Sequence, residues 1–237
     1  YQFIPKPSSE FYMHQAPPPI QYPQLCSVTL LGNLVAKPEV RYRANPVSAI
    51  TEVILATSTK WLDKKTNQYK EWTSYHHIKV EGDLVEQALL TANKGDIILV
   101  QGYLSNIKPN DSDVKNHSTI VHASHIQKFK KGYTQTINRI YCSGQILSVP
   151  LLIKTQNNKS LAQLSISINQ QVYSIDKQCW QMILIERELH VWGKQAEYIL
   201  EHALIGDNVM VEGKLSYLTS ANKTQFIDAK TVHLFKH

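Results

Sequence analysis

The 237-residue sequence holds few of the residues that build cross-linked, metal-binding or catalytic centres. Its three cysteines, Cys26, Cys142 and Cys179, are odd in number and widely spaced, and no CxxC pair occurs. A disulfide framework or a zinc site is therefore not expected, and a reducing compartment fits the cysteine content best. The P-loop, GxSxG and HExxH motifs are missing as well. We predict a protein that is not an enzyme and that needs no cofactor or metal.

Long apolar runs and clustered histidines are also missing. No stretch of about 18 or more apolar residues occurs, so the sequence predicts no membrane-spanning helix. The ten histidines form no ligand-like cluster. His76 and His77 are adjacent on a predicted strand and so point to opposite faces of it. Surface or packed histidines are the expectation.

Positive charge is what the sequence has in excess. Lysine and arginine number 25 against 19 acidic residues, which gives a net charge of +6 and a sequence pI of about 9.1. This balance favours a polyanionic partner such as nucleic acid or an acidic membrane surface, although it could serve solubility alone. The length fits one large or two small domains.

The first 24 residues differ from the rest of the chain. Six of the ten prolines lie there, interleaved with aromatic and polar residues. Such a segment cannot form a helix or a central strand. We predict an extended arm with polyproline character over residues 1–24. It is either a disordered tail or an arm whose aromatic rings dock on a neighbouring surface.

Short apolar runs bounded by Gly, Pro, Asn and Asp follow the arm. They predict strands over residues 28–34, 48–59, 75–80 and 97–104. Apolar residues at helical spacing predict one helix over residues 83–90. Four or five strands with a single helix before the penultimate strand make up the plan of the oligonucleotide/oligosaccharide-binding (OB) fold. The fold class predicted is all-β, with one short helix per domain.

The same layout repeats along the chain. Gly82, Gly95 and Gly102 recur at an offset of 111 residues as Gly193, Gly206 and Gly213, within matched apolar runs. A fixed offset of this size indicates a duplicated domain. We predict two tandem five-stranded OB barrels, one over residues 25–133 and one over residues 134–237.

The first unit resembles the bacterial and mitochondrial single-stranded-DNA-binding (SSB) proteins. The resemblance rests on the order and spacing of residues 31–34, 38–42, 55–58, Trp61, Tyr75 with His76, and the run from Lys94 to Gly102. The second unit resembles the family more weakly, through Asn138, Arg139, Gly144, Trp180 and residues 191–215. The resemblance implies binding of single-stranded DNA during replication or repair, largely independent of sequence. It also implies a homo-oligomer, with a dimer supplying four OB domains.

The family binds single strands by aromatic stacking beside basic side chains. Trp61 matches a stacking tryptophan of the family, and Tyr75 falls where a second stacking ring is found; Trp72 is an additional ring nearby. Tyr75 could instead pack against the barrel. The basic candidates of the first unit are Arg41, Arg43, Lys60, Lys64, Lys65, Lys70 and Lys79, and the candidates of the second unit are Trp180, Trp192 and Lys194.

The sequence also departs from the family pattern. Glu81 stands where the family commonly has an aromatic residue, and a carboxylate there is expected to repel phosphate. Residues 105–109 replace a basic, tryptophan-bearing segment, and residues 232–237 lack the acidic ending of bacterial members. The resemblance then implies a mitochondrial location, with the bacterial cytoplasm or nucleoid as the alternative. Two other functions stay open: a structural subunit whose OB domains bind protein in a larger assembly, and binding of single-stranded RNA.

Overall fold

A computed structural model describes residues 22–45, 47–64, 66–106, 119–132, 135–155, 159–174, 177–218 and 224–236. Most of the predicted arm, residues 1–21, and one of the basic candidates, Lys65, lie outside these ranges. No helix in the described part of the chain has the length and apolar character needed to cross a bilayer. Within the same residues, no group of three or more His, Cys, Asp or Glu side chains could hold a metal ion.

The two halves of the chain contain the same succession of elements. The first half comprises β1 (Cys26–Leu34), β2 (Arg41–Ala44), β3 (Val47–Asp63), β4 (Gln68–Glu81), α1 (Asp83–Ala88), β5 (Ile97–Asn106) and β6 (Thr119–Phe129). The second half comprises β7 (Ile137–Ile146), β8 (Leu151–Lys154), β9 (Ser160–Ser174), β10 (Cys179–Trp192), α2 (Lys194–His202), β11 (Asn208–Tyr217) and β12 (Gln225–Phe235). These are two tandem OB domains, as the sequence predicts.

Each barrel closes around its first strand. In the first domain β1 pairs with both β3 and β5, and β4 runs parallel to β6. Gly32 lies where β1 crosses β3, and a Cβ atom there would collide with the carbonyl oxygen of Ala56. Glycine is required at this position because the two backbones approach closely. The core is built from the inward-facing residues of each strand, such as Val28 and Leu30 of β1, which are fully buried.

The hairpin formed by β3 and β4 is longer than the sequence predicts. The strand predicted over residues 48–59 continues to residue 63, and the strand predicted over residues 75–80 already begins at residue 68. Fourteen residue pairs hold the two strands together, from Ile50 opposite Glu81 to Asp63 opposite Gln68. Apart from Leu62, the added length consists of polar and aromatic residues, which can pair as strands while they remain largely exposed. It therefore lacks the apolar run that marks a strand in the sequence.

The two domains share one continuous sheet. Strands β1 and β7, which occupy the same place in their respective domains, pair antiparallel from Cys26 opposite Cys142 to Leu31 opposite Ile137. We call this junction the seam. Because corresponding strands meet antiparallel, the long hairpin of each domain reaches toward the other domain across the seam.

Candidate nucleic-acid interface

The β3–β4 hairpin carries the three predicted aromatic residues of the first domain. Trp61 is 43% exposed, Trp72 56% and Tyr75 52%. Large rings left this exposed contribute little to the core. All three are therefore available to a flat ligand, and the alternative of a Tyr75 packed into the barrel does not fit.

Strand pairing divides the three rings between two faces of the hairpin. Trp61 is opposite Lys70 and Trp72 is opposite Thr59, so the two tryptophans lie on one face at diagonal positions. Tyr75 is three residues from Trp72 on the same strand, which places it on the other face. The structure thus brings Trp61 and Trp72 together and separates them from Tyr75.

The face that carries the two tryptophans looks onto the second domain. A groove of about 410 Å³ lies between this face of the hairpin and the second domain. It is lined by Thr59, Trp61, Trp72 and Ser74 of the first domain and by Asn138, Lys214 and Ser216 of the second. We call it the seam groove. Its lining combines two large rings, one cation and several short polar side chains.

Asn138 and Lys214 are held in place by the second domain. The Asn138 side chain donates to the Leu215 carbonyl at 2.9 Å and accepts from the Leu215 amide at 3.0 Å. It therefore acts as an extra strand partner and fixes this wall of the seam groove. The Lys214 ammonium is 3.4 Å from a carboxylate oxygen of Asp228. No local pattern in the sequence marks Asn138 or Lys214 as part of the site, because the groove forms only where the first domain's hairpin meets the second domain.

The face of the hairpin that carries Tyr75 also carries Glu81, a carboxylate that is paired with basic side chains. Glu81 pairs with Arg43 at 3.1 Å, with Lys79 at 2.8 Å and with the His122 ring at 3.3 Å. The hydrogen bond from His122, helped by Lys79, lowers the pKa of Glu81 to about 2. The expected repulsion of phosphate is offset here, because the single negative charge of Glu81 is paired with the Arg43 and Lys79 cations.

The other basic candidates that the structure describes in the first domain lie at the surface. Lys60 is 3.7 Å from Glu71, and Lys70 is 2.5 Å from Asp63. Such exposed ion pairs are worth roughly 0–1 kcal/mol, so a phosphate can replace the carboxylate at little cost. Arg41 on β2 and Lys64 at the hairpin tip are exposed as well.

The candidates of the second domain are far apart. Trp192 is 40% exposed, and its indole nitrogen donates to Asp228 at 2.8 Å. Lys194 is exposed at the start of α2. Trp180 stands at the opposite end of β10, where its ring meets Tyr173 with centroids 5.5 Å apart. The two tryptophans are twelve positions apart on β10, which is about 40 Å along the strand.

Comparison with known proteins supplies a family and a fold. The model of the single-strand binding protein family matches residues 25–129 and 137–235. The wild-type single-stranded DNA binding protein from Thermus aquaticus superposes with a TM-score of 0.74 at 22% identity, covering 91% of this chain and 95% of that chain. A deletion mutant of the Thermus aquaticus protein gives a TM-score of 0.74 at 24% identity and covers 89% and 94%. The resemblance and the tandem OB fold drawn from the sequence are thereby confirmed.

Proposed function

The chain belongs to the single-strand binding protein family, and we propose that it holds single-stranded DNA on the rings and cations of the β3–β4 hairpin, largely without regard to sequence. As a member of this family it is a binding protein and not an enzyme. The observation that carries the proposal is the exposure of Trp61, Trp72 and Tyr75, three large rings on one hairpin with lysines beside them.

The chemistry of this hairpin suits any base sequence. Every base has a flat π-face, and stacking on an aromatic side chain contributes roughly 1–3 kcal/mol per base. Cations beside the rings neutralise phosphates and release counterions. We assign the phosphate contacts of the first domain to Arg41, Arg43, Lys60, Lys64, Lys65, Lys70 and Lys79, and a smaller contact area in the second domain to Trp192 and Lys194.

A competition experiment tests this proposal and separates DNA from RNA. A labelled oligo-dT bound to the full chain is displaced by unlabelled oligo-dT, by oligo-U and by duplex DNA of equal length. We expect oligo-dT to compete best and duplex DNA worst, because paired bases offer no face to stack on. Equal competition by duplex DNA would contradict the proposal, and preference for oligo-U would support the RNA alternative.

A protein-binding role is the second candidate, and an exposed apolar face of the second domain favours it. Trp180, Met182 and Leu184 alternate along one face of β10 and are 64%, 41% and 62% exposed, and the exposed Glu186 follows them. An apolar row ending in a carboxylate suits a protein better than a phosphate backbone. Co-purification of a stoichiometric partner that is lost in Leu184→Lys, with DNA affinity unchanged, would establish this role.

We further propose that two chains assemble into a dimer with four OB domains. The outer face of the shared sheet supports this, because Leu31, Leu99, Tyr141 and Met210 lie on it across the seam and are only partly covered. The mass in solution should be about twice the 27.0 kDa of one chain. A mass of one chain at micromolar concentration would contradict the proposal.

We place this activity in replication or repair, where single strands arise transiently. The three cysteines are unbonded, which suits a reducing compartment. A mitochondrial location is the first choice and a bacterial nucleoid the alternative. Microscopy of a tagged chain tests the location, and sensitivity of a depleted cell to replication inhibitors tests the process.

A further inference from the structure

The seam groove has a counterpart, because the two domains contact each other in a nearly symmetric way. In one half of the junction the Ser58 amide donates to the Thr136 hydroxyl at 2.9 Å. In the other half the Asn169 amide donates to the Gln24 side chain at 2.7 Å. Ser58 and Asn169 are corresponding residues of β3 and β9. A second groove of the same kind is therefore expected between the second hairpin and the first domain.

The second groove has aliphatic residues in place of the two tryptophans. At the offset of 111 residues, Trp61 corresponds to Val172 and Trp72 corresponds to Ile183. Strand pairing supports the match, since Ile183 is opposite Gln170 as Trp72 is opposite Thr59. Neither valine nor isoleucine offers a flat face to a base.

The second groove is also closed by polar side chains. Gln170 is buried, and its amide nitrogen donates to the Leu104 carbonyl at 2.6 Å. Arg187 is only 4% exposed and donates to the Ser105 carbonyl at 2.9 Å and to the Asn106 side chain at 2.8 Å. These hydrogen bonds join the second hairpin directly to β5 of the first domain and leave no path for a strand.

Among the described residues, the seam groove lacks a counterpart of the Gln170 bond, whereas the Arg187–Asn106 bond has its counterpart in His76 and Tyr217, 3.0 Å apart. The short, exposed Thr59 stands in the place of Gln170, and His76 stands in the place of Arg187. His76 is fully buried and turns to Thr57 and Tyr217 below the groove. The space that Gln170 fills on one side is thus left open by the shorter Thr59 on the other.

The seam groove continues toward the second domain. Lys214 lines it and pairs with Asp228, and the same Asp228 carboxylate accepts the hydrogen bond of the Trp192 indole. A cation and a half-exposed ring therefore follow the tryptophan pair along one path. The diagonal positions of Trp61 and Trp72 lie about 7–8 Å apart, which is roughly twice the 3.4 Å rise between stacked bases.

We propose that a single strand of nucleic acid crosses from the first domain to the second through the seam groove, and that each chain has one such crossing. A base lies against Trp61 and Trp72, the following phosphate meets Lys214, and the strand continues to Trp192. This inference rests on the proposed function, because it specifies the path of the same ligand. Because the second groove is closed, each chain has one crossing although it has two domains of the same fold.

The test measures the affinity of the full chain for an oligo-dT of about eight nucleotides, a length within the site size of a single OB domain. We expect Trp72→Leu to weaken binding roughly 5- to 150-fold. Phe235→Leu is the matched control, since Phe235 is 55% exposed against 56% for Trp72 but lies at the end of β12, and it should change affinity less than about twofold. Thermal unfolding of both variants checks that the fold is retained.

The residue that decides the path is Lys214, because it belongs to the second domain. Lys214→Gln should lower the slope of log affinity against log salt by about 0.7, whereas the control Lys236→Gln, which lies beside Asp207, should leave the slope unchanged. If the wild-type chain binds and Lys214→Gln behaves like its control, the crossing is refuted while the proposed function stands. If the wild-type chain does not bind, both are refuted.

Discussion

The ring nitrogen Nδ1 of His76 in the first domain lies 3.0 Å from the hydroxyl of Tyr217 in the second. The Tyr217 oxygen accepts a hydrogen bond from Gln225 at 3.1 Å. The other ring nitrogen of His76, Nε2, lies 2.8 Å from the Thr57 hydroxyl, so both nitrogens of the buried ring have a hydroxyl partner. Arg187 extends the chain, since it donates to Gln225 at 3.2 Å. A continuous row of hydrogen bonds thus links the first domain to the second.

This network makes the stability of the protein sensitive to acid. Burial lowers the pKa of His76 to about 4, and the neighbouring His77 adds a smaller effect. The unfolded chain, with a histidine pKa near 6.5, then binds more protons than the folded chain below that pH. We expect the free energy of unfolding to be fully maintained above about pH 6.5 and to fall by up to about 3 kcal/mol as the pH approaches 4.

Urea unfolding between pH 7.5 and pH 4.5 measures this loss. His76→Gln serves as the control, because it keeps a polar side chain but cannot be protonated. The variant should be less stable at neutral pH and should show a shallower decline in acid. An equal decline in both proteins would assign the acid sensitivity to other groups.

Removal of the Tyr217 hydroxyl should destabilise the fold. Tyr217→Phe removes the partner of the His76 Nδ1 atom and of the Gln225 amide nitrogen, while Thr57 and Arg187 still contact the other ends of these side chains. An unsatisfied buried polar atom costs about 1–3 kcal/mol. Tyr69→Phe is the matched control, since Tyr69 is 79% exposed and should change stability by less than about 0.5 kcal/mol. Urea midpoints that do not distinguish the two variants would show that the network contributes nothing.

A methyl group at the crossing of β1 and β3 should also destabilise the protein. In Gly32→Ala the new Cβ meets the backbone of Ala56, which cannot move without disturbing the sheet. Overpacking of this kind costs about 1–3 kcal/mol or more. Gly132→Ala is the control, because no atom lies within 4 Å of a Cβ placed there. Equal melting temperatures for the two variants would contradict the close approach.

Loss of the Trp61 ring should weaken DNA binding without affecting the fold. We expect Trp61→Ala to cost about 1–3 kcal/mol of binding free energy, the contribution of one stacked base. Phe129→Ala is a suitable control, because Phe129 is 41% exposed against 43% for Trp61 and lies at the end of β6, opposite Ile97. Unchanged affinity in Trp61→Ala would place the stacking site elsewhere.

The sequence predicted local features well and contacts between distant residues poorly. The glycines at a constant offset indicated two OB domains, and the polar hairpin pointed to exposed rings. The placing of Trp61 beside Trp72 on one face depends on the register between two strands, which no single strand encodes. The compensation of Glu81 by His122 joins residues 41 positions apart, and the role of Lys214 requires the other domain. Such long-range contacts leave no local pattern to read.

Titration of tryptophan fluorescence with oligo-dT tests the central claim most directly. The full chain is compared with a variant that lacks all three hairpin rings, at about 0.05 and 0.2 M salt. We predict quenching at low micromolar oligonucleotide, weaker binding at the higher salt, and a loss of binding in the variant. Absence of quenching in the wild-type chain, or equal binding by the variant, would contradict the claim that this hairpin holds single-stranded DNA.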